Sequence, residues 1–324
     1  MIPRLGQKAP DASPIERMRV GTWRLGGSPK RGLYTAYLEI IALSRLEHAL
    51  ETKGLRDQHQ FGFTRFKGRH DLLATIVASI AHHRVHVKEN FADKATAAHN
   101  QTTIVSLDVA GASDNVDQAS IIMKMYEELG TDPIKHWIKS FIFNRNIRIK
   151  YRDLISISLS VYKGVPQGST LGPILWNYCI HDIKQKICIT DPFIELVAYA
   201  DDLTLISHGA DNHNKTQRVF DQINHYIKSR GLSISAEKCE LIHIIGPGRR
   251  PSERDLPKLQ IDGQTIRPKD HLKILGVPIN RYLQLRIEDE GTLEKLDETK
   301  RLLRERPPAS LKIWRNGRCC SNLC

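Results

Sequence analysis

Aromatic side chains make up only 6% of the 324 residues, too few for broad base-stacking platforms. The six cysteines form no paired Cys-x-x-Cys motif. The cluster Cys319, Cys320 and Cys324 has no histidine nearby, which argues against a zinc site there. Cys179, Cys188 and Cys239 are scattered through predicted elements and are expected to be reduced and buried. The longest apolar stretch, near Leu72 to Ala81, is too short and interrupted to span a bilayer. The opening MIPRLGQKAP lacks the apolar core of a secretory leader, so an intracellular product without a membrane partner is expected. No internal repeat is present. Acidic residues are also in deficit, with 36 Asp and Glu against 48 Lys and Arg, a formal charge of +12. A surplus of that sign favours a polyanion through counterion release, and binding should weaken steeply with salt. Basic residues gather in Arg145–Arg152, whose alternation predicts a strand with one cationic face, and again between Lys300 and Arg318.

Against that background stands Tyr199-Ala200-Asp201-Asp202. The flanks Phe193–Tyr199 and Leu203–Ser207 are apolar and β-prone, which predicts a hairpin with the two aspartates at its tip. Two like charges about 4 Å apart repel by about 4 kcal/mol at an effective dielectric near 20. A divalent cation would relieve that repulsion; a solvated turn is the plainer alternative.

A third carboxylate shifts the balance. Gln101–Val109 reads as a buried strand with one lone charge, Asp108, near its end. A charge inside an apolar strand is costly unless paired or bound to metal. The following Ala110–Val116 is small and polar, as a strand-to-helix turn would be, and Ser120–Leu129 has helical spacing ending at Gly130. If the strand of Asp108 lies beside the hairpin, Asp108, Asp201 and Asp202 converge at one sheet edge. They could then hold two Mg²⁺ roughly 3.5–4 Å apart, an arrangement suited to in-line phosphoryl transfer.

The stretch Lys163–Pro173 holds two prolines and three glycines in eleven residues, so it is a shaped loop. It leads into a predicted helix from Ile174 to about Lys186. Such a loop is often a plain connection, but its backbone N–H groups can also approach a phosphate closely.

In this order the segments resemble the reverse transcriptase family, and within it the polymerases of LINE-type (non-LTR) retrotransposons. LDVAGASDNV resembles the family's first catalytic segment, KGVPQGSTLGPILWN its nucleotide-and-template loop, and VAYADDLTLIS its Y-x-D-D hairpin. Asp57–Phe63 is similar to the upstream Q-x-G-F segment, Gly231–Cys239 to the segment with a lysine beyond the hairpin, and Leu272–Val277 to the K-x-L-G-V strand before the thumb. The resemblance covers roughly residues 55 to 280. It implies an α+β right-hand polymerase fold: residues 1–55 an irregular lead and helix, 56–280 fingers and palm, 281–324 the start of a thumb with a basic tail. It implies RNA-directed DNA synthesis by two Mg²⁺ (or Mn²⁺), on an RNA template with a DNA primer and deoxynucleoside triphosphates, in the nucleus. By position, Asp108 and Asp201 would be the principal metal ligands, assisted by Asp202 and the Val109 carbonyl. Gln167 and Gly168 would meet nucleotide or template, Lys238 would lie near the triphosphate, and Asp114 would support the site without ligating metal.

Two departures stand out. Ser113 occupies the position where the family usually carries Phe or Tyr to exclude a ribose 2′-hydroxyl, which predicts poor sugar discrimination. No R-P-I-type strand precedes Gln60; Arg31, in Lys30–Leu33, is the nearest substitute. The helix from about Tyr37 to Thr52 is expected to bury Leu38, Ile41, Leu46 and Leu50. Asp289–Arg306, acidic at its start and basic at its end, predicts the first thumb helix. Other readings stay open: a decayed fragment that only binds nucleic acid, or an RNA-dependent RNA polymerase, which usually has Gly where Ala200 stands.

Overall fold

Strand β1 (Gln101–Asp108) is the axis of the molecule. In the computed structural model, which describes residues 29–90, 99–130, 132–143, 145–151, 154–166, 168–187, 191–245 and 256–281, it lies central in a five-stranded sheet. Antiparallel β7 (Asp202–His208) pairs on one side of it and antiparallel β8 (Glu240–Ile245) on the other. Beyond β7 lies β6 (Ile194–Tyr199), and beyond β8 the short parallel β11 (Pro268–Lys269).

Both faces of this sheet are covered, which explains the near-continuous apolar runs of its strands. Successive strand residues point to opposite faces. Val105 and Leu107 therefore join Leu196, Leu203, Leu205 and Leu241 in one core, whereas Ile104 joins Val197, Ile206 and Ile242 in the other. The first core is closed by helices α4 (Gln118–Glu128), α5 (Ile134–Ile142), α6 (Gly172–Ile180) and α8 (Asn212–Ser229). The second is closed by α2 (Arg69–Asn90) and the hairpin β12–β13 (His271–Ile274, Val277–Asn280), together with Phe61. Asp117 starts α4 by accepting from the N–H groups of Ala119 and Ser120.

Several expectations need correction. Helix α1 (Pro29–Thr52) buries Ala42, Leu46, Ala49 and Leu50, but Leu38 and Ile41 are about half exposed, at 49% and 52%. The helical stripe is real; the first turns simply run past the edge of the core. The helix expected over 174–186 ends at Ile180 and a separate turn, α7, spans Ile183–Lys186. The break carries Asp182, whose carboxylate is buried against Lys124 (2.5 Å), Tyr226 (2.5 Å) and Arg230 (3.0 Å). The expected strand over 145–152 is a ribbon of two short ladders, β2 (Arg145–Ile147) with β5 (Leu159–Val161) and β3 (Lys150–Tyr151) with β4 (Leu154–Ile155). Arg145 does not join its exposed cationic face. Its guanidinium is buried at the ribbon base, donating to the carbonyls of Ile142, Lys163 and Gly164.

Cys179 and Cys239 are free and buried, as expected; Cys188, the thumb helix over 289–306 and the terminal cysteines lie outside the described residues. Among the described residues no helix is long and apolar enough to cross a membrane.

Candidate polymerase site at the end of the central strands

The hairpin of β6 and β7 turns through Ala200 and Asp201, with Tyr199 and Asp202 as its last register pair. Ala200 has φ of 57°, a left-handed conformation that disfavours a residue with a Cβ. Its strain sits between the strand and the two carboxylates.

Across the sheet Asp108 is the register partner of Asp202. Directly opposite residues in an antiparallel pair put their side chains on the same face. The sequence-predicted juxtaposition of strand and hairpin is therefore present for this pair, with Asp201 one residue away in the turn. Past the end of β1 the chain pairs with the segment after α8: Ala110 N–H donates to Ser233 O (2.8 Å), Ser235 N–H to Asp108 O (2.9 Å), and Val109 bridges Ile234. This pairing carries Lys238 to the site, with Nζ 3.2 Å from Asp108 Oδ2. The contact is an ion pair without hydrogen-bond alignment, because Oδ2 is shielded from solvent and has no hydrogen-bond partner.

Electrostatically the cluster is short of positive charge. Burial, and after it the charges of Asp201 and Asp108, raise the pKa of Asp202 above the usual carboxylate range. As the side chains stand, no three His, Cys, Asp or Glu among the described residues are drawn into metal-holding geometry. The donor set nevertheless suits a hard divalent cation: carboxylate oxygens on one face, one of them buried without a hydrogen-bond partner, and mutual repulsion that a cation would relieve.

The Lys163–Pro173 loop lies against the segment following β1. Val165 N–H donates to Ser113 O (2.8 Å) and Gly164 N–H to Val116 O (2.7 Å). Gly164 has φ of 74°, and a Cβ there would lie 2.5 Å from Asp114 O, so only glycine allows this approach. Asp114 thus contributes backbone to the loop seat. Gly168 is left-handed, with open space around it, and Gln167 lies outside the described residues.

Sequence reasoning assigned no role to the residues that secure these parts. Buried Gln118 donates to Gly164 O (3.1 Å), and Glu39 of α1 accepts from Ser169 Oγ (2.8 Å) and Thr170 N–H (3.2 Å). Buried Gln60 brackets the Ala200 peptide, donating to its O (3.1 Å) and accepting from its N–H (2.9 Å). Gln60 carried one legible signal, its place in the Q-x-G-F segment. The others are single polar residues with nothing local to mark them.

Comparisons with known proteins identify the family. The family model described as "Reverse transcriptase (RNA-dependent DNA polymerase)" matches residues 12–279. The chain is 24% identical over 76% of its length to the "Probable RNA-directed DNA polymerase from transposon X-element" of Drosophila melanogaster, covering 25% of that protein. It is 25% identical over 77% of its length to the "RNA-directed DNA polymerase from mobile element jockey" of Drosophila funebris, covering 26% of it. It is 26% identical over 58% of its length to the "Retrovirus-related Pol polyprotein from type-1 retrotransposable element R2" of Popillia japonica, covering 31% of it. The chain thus spans a quarter to a third of the length of these relatives. Among solved structures, apo telomerase from Candida tropicalis, truncated from its C-terminal domain, superposes with a TM-score of 0.53 at 14% identity. That match covers 83% of this chain and 49% of the other, and shows a shared α+β polymerase fold.

Proposed function

The chain belongs to the reverse transcriptase family, whose members work with divalent metal ions, and from that premise we propose that it is the RNA-directed DNA polymerase unit of a LINE-like retroelement, acting in the nucleus. The observation that carries the reading is the Asp108–Asp202 register pair, with Asp201 in the adjoining strained turn.

In this reading Asp108 and Asp201 are the principal ligands, with Asp202 and the Val109 carbonyl assisting. Bound there, two Mg²⁺ (or Mn²⁺) would supply Lewis-acid activation of the primer 3′-hydroxyl and neutralise charge on the leaving pyrophosphate. The protein's part is to hold the reactants in line. Gly168, free of a side chain at an open left-handed position, lets the backbone approach the nucleotide or the template base beside Gln167. Ser113, in place of the Phe or Tyr the family usually carries, would leave a ribose 2′-hydroxyl unopposed. Lys238, with a side chain 68% exposed and paired with Asp108, can swing its ammonium to the triphosphate once the carboxylate is otherwise engaged. RNA template, DNA primer and deoxynucleoside triphosphates are the substrates; residues 56–280 act as fingers and palm, and 281–324 begin the thumb.

Primer extension on a homopolymer RNA template, with Asp201→Asn as control, tests the reading. Incorporation that is lost in the control is expected. No incorporation by either protein, with salt-sensitive RNA binding retained, would replace it with a fragment that only binds nucleic acid.

A further inference from the structure

Hairpin tips are usually held only by their own strands. This one is gripped from outside. Gln60, 3% exposed, turns both ends of its amide to it: Nε2 donates to Ala200 O (3.1 Å), while Oε1 accepts from Ala200 N–H (2.9 Å) and also from Gly62 N–H (3.0 Å) in its own segment. The backbone of the same segment adds a short parallel pairing, Ala198 N–H to His59 O (2.9 Å) and Phe61 N–H to Ala198 O (2.7 Å). Gly62 packs so close that a Cβ would fall 2.2 Å from Ala200 N. Asn177 on α6, the helix that leaves the Lys163–Pro173 loop, donates to Gly62 O (2.9 Å). A single strap therefore touches both the aspartate turn and the helix behind the loop.

We propose that Gln60 is a positioning residue for the polymerase centre: its buried amide locks the left-handed Ala200 peptide and thereby fixes where Asp201 and Asp202 present their carboxylates. The proposal rests on the reading above. A non-glycine residue at positive φ is strained by about 1–2 kcal/mol, and such a residue persists only where its surroundings over-determine it. Ala200 has both peptide polar atoms claimed by one side chain. With the amide gone, the turn can relax toward ordinary backbone angles and swing the two aspartates, which follow it directly in sequence. Displacements of about 1 Å at a reacting centre cost on the order of 100-fold in rate.

The test uses the full chain with Gln60→Leu, which keeps the volume and removes all three bonds. A second variant, Gln60→Glu, keeps the two acceptor bonds but turns a carboxylate oxygen, in place of the donor, toward Ala200 O. Two readouts are taken: single-nucleotide incorporation, resolved into kcat and KM, and Mn²⁺ binding without nucleic acid, by electron paramagnetic resonance. For Gln60→Leu, kcat is expected to fall about 100-fold with KM for nucleotide within about twofold, and Mn²⁺ affinity about tenfold; Gln60→Glu, which sets a carboxylate oxygen against the Ala200 carbonyl, should also fall below the parent in both. A folded Gln60→Leu with parental kcat and Mn²⁺ affinity overturns the proposal. If Gln60→Leu does not fold, Gln60→Glu decides, and parental values there overturn it. If the parent itself incorporates nothing, the polymerase reading falls alone, and the clamp stands or falls on whether the variants weaken Mn²⁺ binding.

Discussion

Lys238 Nζ lies 3.2 Å from Asp108 Oδ2, so an ammonium faces the oxygen that a divalent cation would take. Lys238→Ala removes that competitor. Mn²⁺ affinity of the free protein should rise about fivefold, the scale expected of a solvent-exposed ion pair, and incorporation should fall if the lysine also serves the triphosphate. Spin-resonance titration and primer extension on the same preparation check both signs. Unchanged Mn²⁺ affinity would mean that the contact has no energetic weight.

Gly164 and Gly168 are both left-handed, at φ of 74° and 79°, but only Gly164 has backbone within reach of a Cβ. Gly168→Ala should cost about 1 kcal/mol, the strain alone. Gly164→Ala should cost at least about 2 kcal/mol more, because the Asp114 carbonyl must move as well. Urea midpoints measure the difference, and equal losses would contradict the close approach.

Ser113 stands beside the loop, its carbonyl accepting from Val165 N–H at 2.8 Å. On the proposed reading, a small side chain there would leave room for a 2′-hydroxyl. Ser113→Phe is expected to raise the preference for deoxynucleotides over ribonucleotides at least tenfold, read from competing incorporation. An unchanged ratio would remove the sugar role.

His208 is buried, its ring nitrogens bonded to Thr102 Oγ1 (2.8 Å) and Ser79 Oγ (2.8 Å), and Ser79 in turn donates to Glu195 (2.9 Å). Burial, and after it the neighbouring histidines, push its pKa down to about 3; burial pushes His243 down to about 4. Both lie below the unfolded value near 6.5. The folded state then binds fewer protons, and stability present above about pH 6.5 is lost as pH falls toward the folded values. Between pH 7 and pH 5 each histidine should contribute a loss of about 2 kcal/mol. Urea unfolding at the two pH values checks this, with His208→Gln expected to lose its own share of the difference.

Asp182 lies among Lys124, Tyr226 and Arg230. Burial alone would raise its pKa, but the Lys124 and Tyr226 hydrogen bonds and the two cations hold it below the usual carboxylate range. Asp182→Asn leaves the buried Lys124 and the half-buried Arg230 facing each other and should cost about 3 kcal/mol or more. A urea midpoint near that of the parent would show the cluster to be neutral in stability.

The polymerase hairpin, the Asp108 strand and the proline-and-glycine loop were all legible from the sequence, because each is a local matter. Apolar runs broken by one charge mark a strand end, and clustered Gly and Pro mark a shaped loop. Less was legible where packing intervenes. The stripe of α1 predicted Leu38 and Ile41 inside, yet periodicity says which face is apolar, not how far along the helix the core extends. Arg145 looked like one more cation on a ribbon; burial against three carbonyls turned it into part of the loop seat.

By itself, then, the sequence determined the chemistry: which acids exist, their spacing along the chain, and the order of segments that marks the family. Tertiary structure alone decided that Asp108 meets Asp202 in register, that Lys238 reaches the same carboxylate, and that Gln60 grips Ala200 from 140 positions away. Register and long-range hydrogen bonds depend on how separate elements pack. No local propensity encodes the partner of a single buried amide.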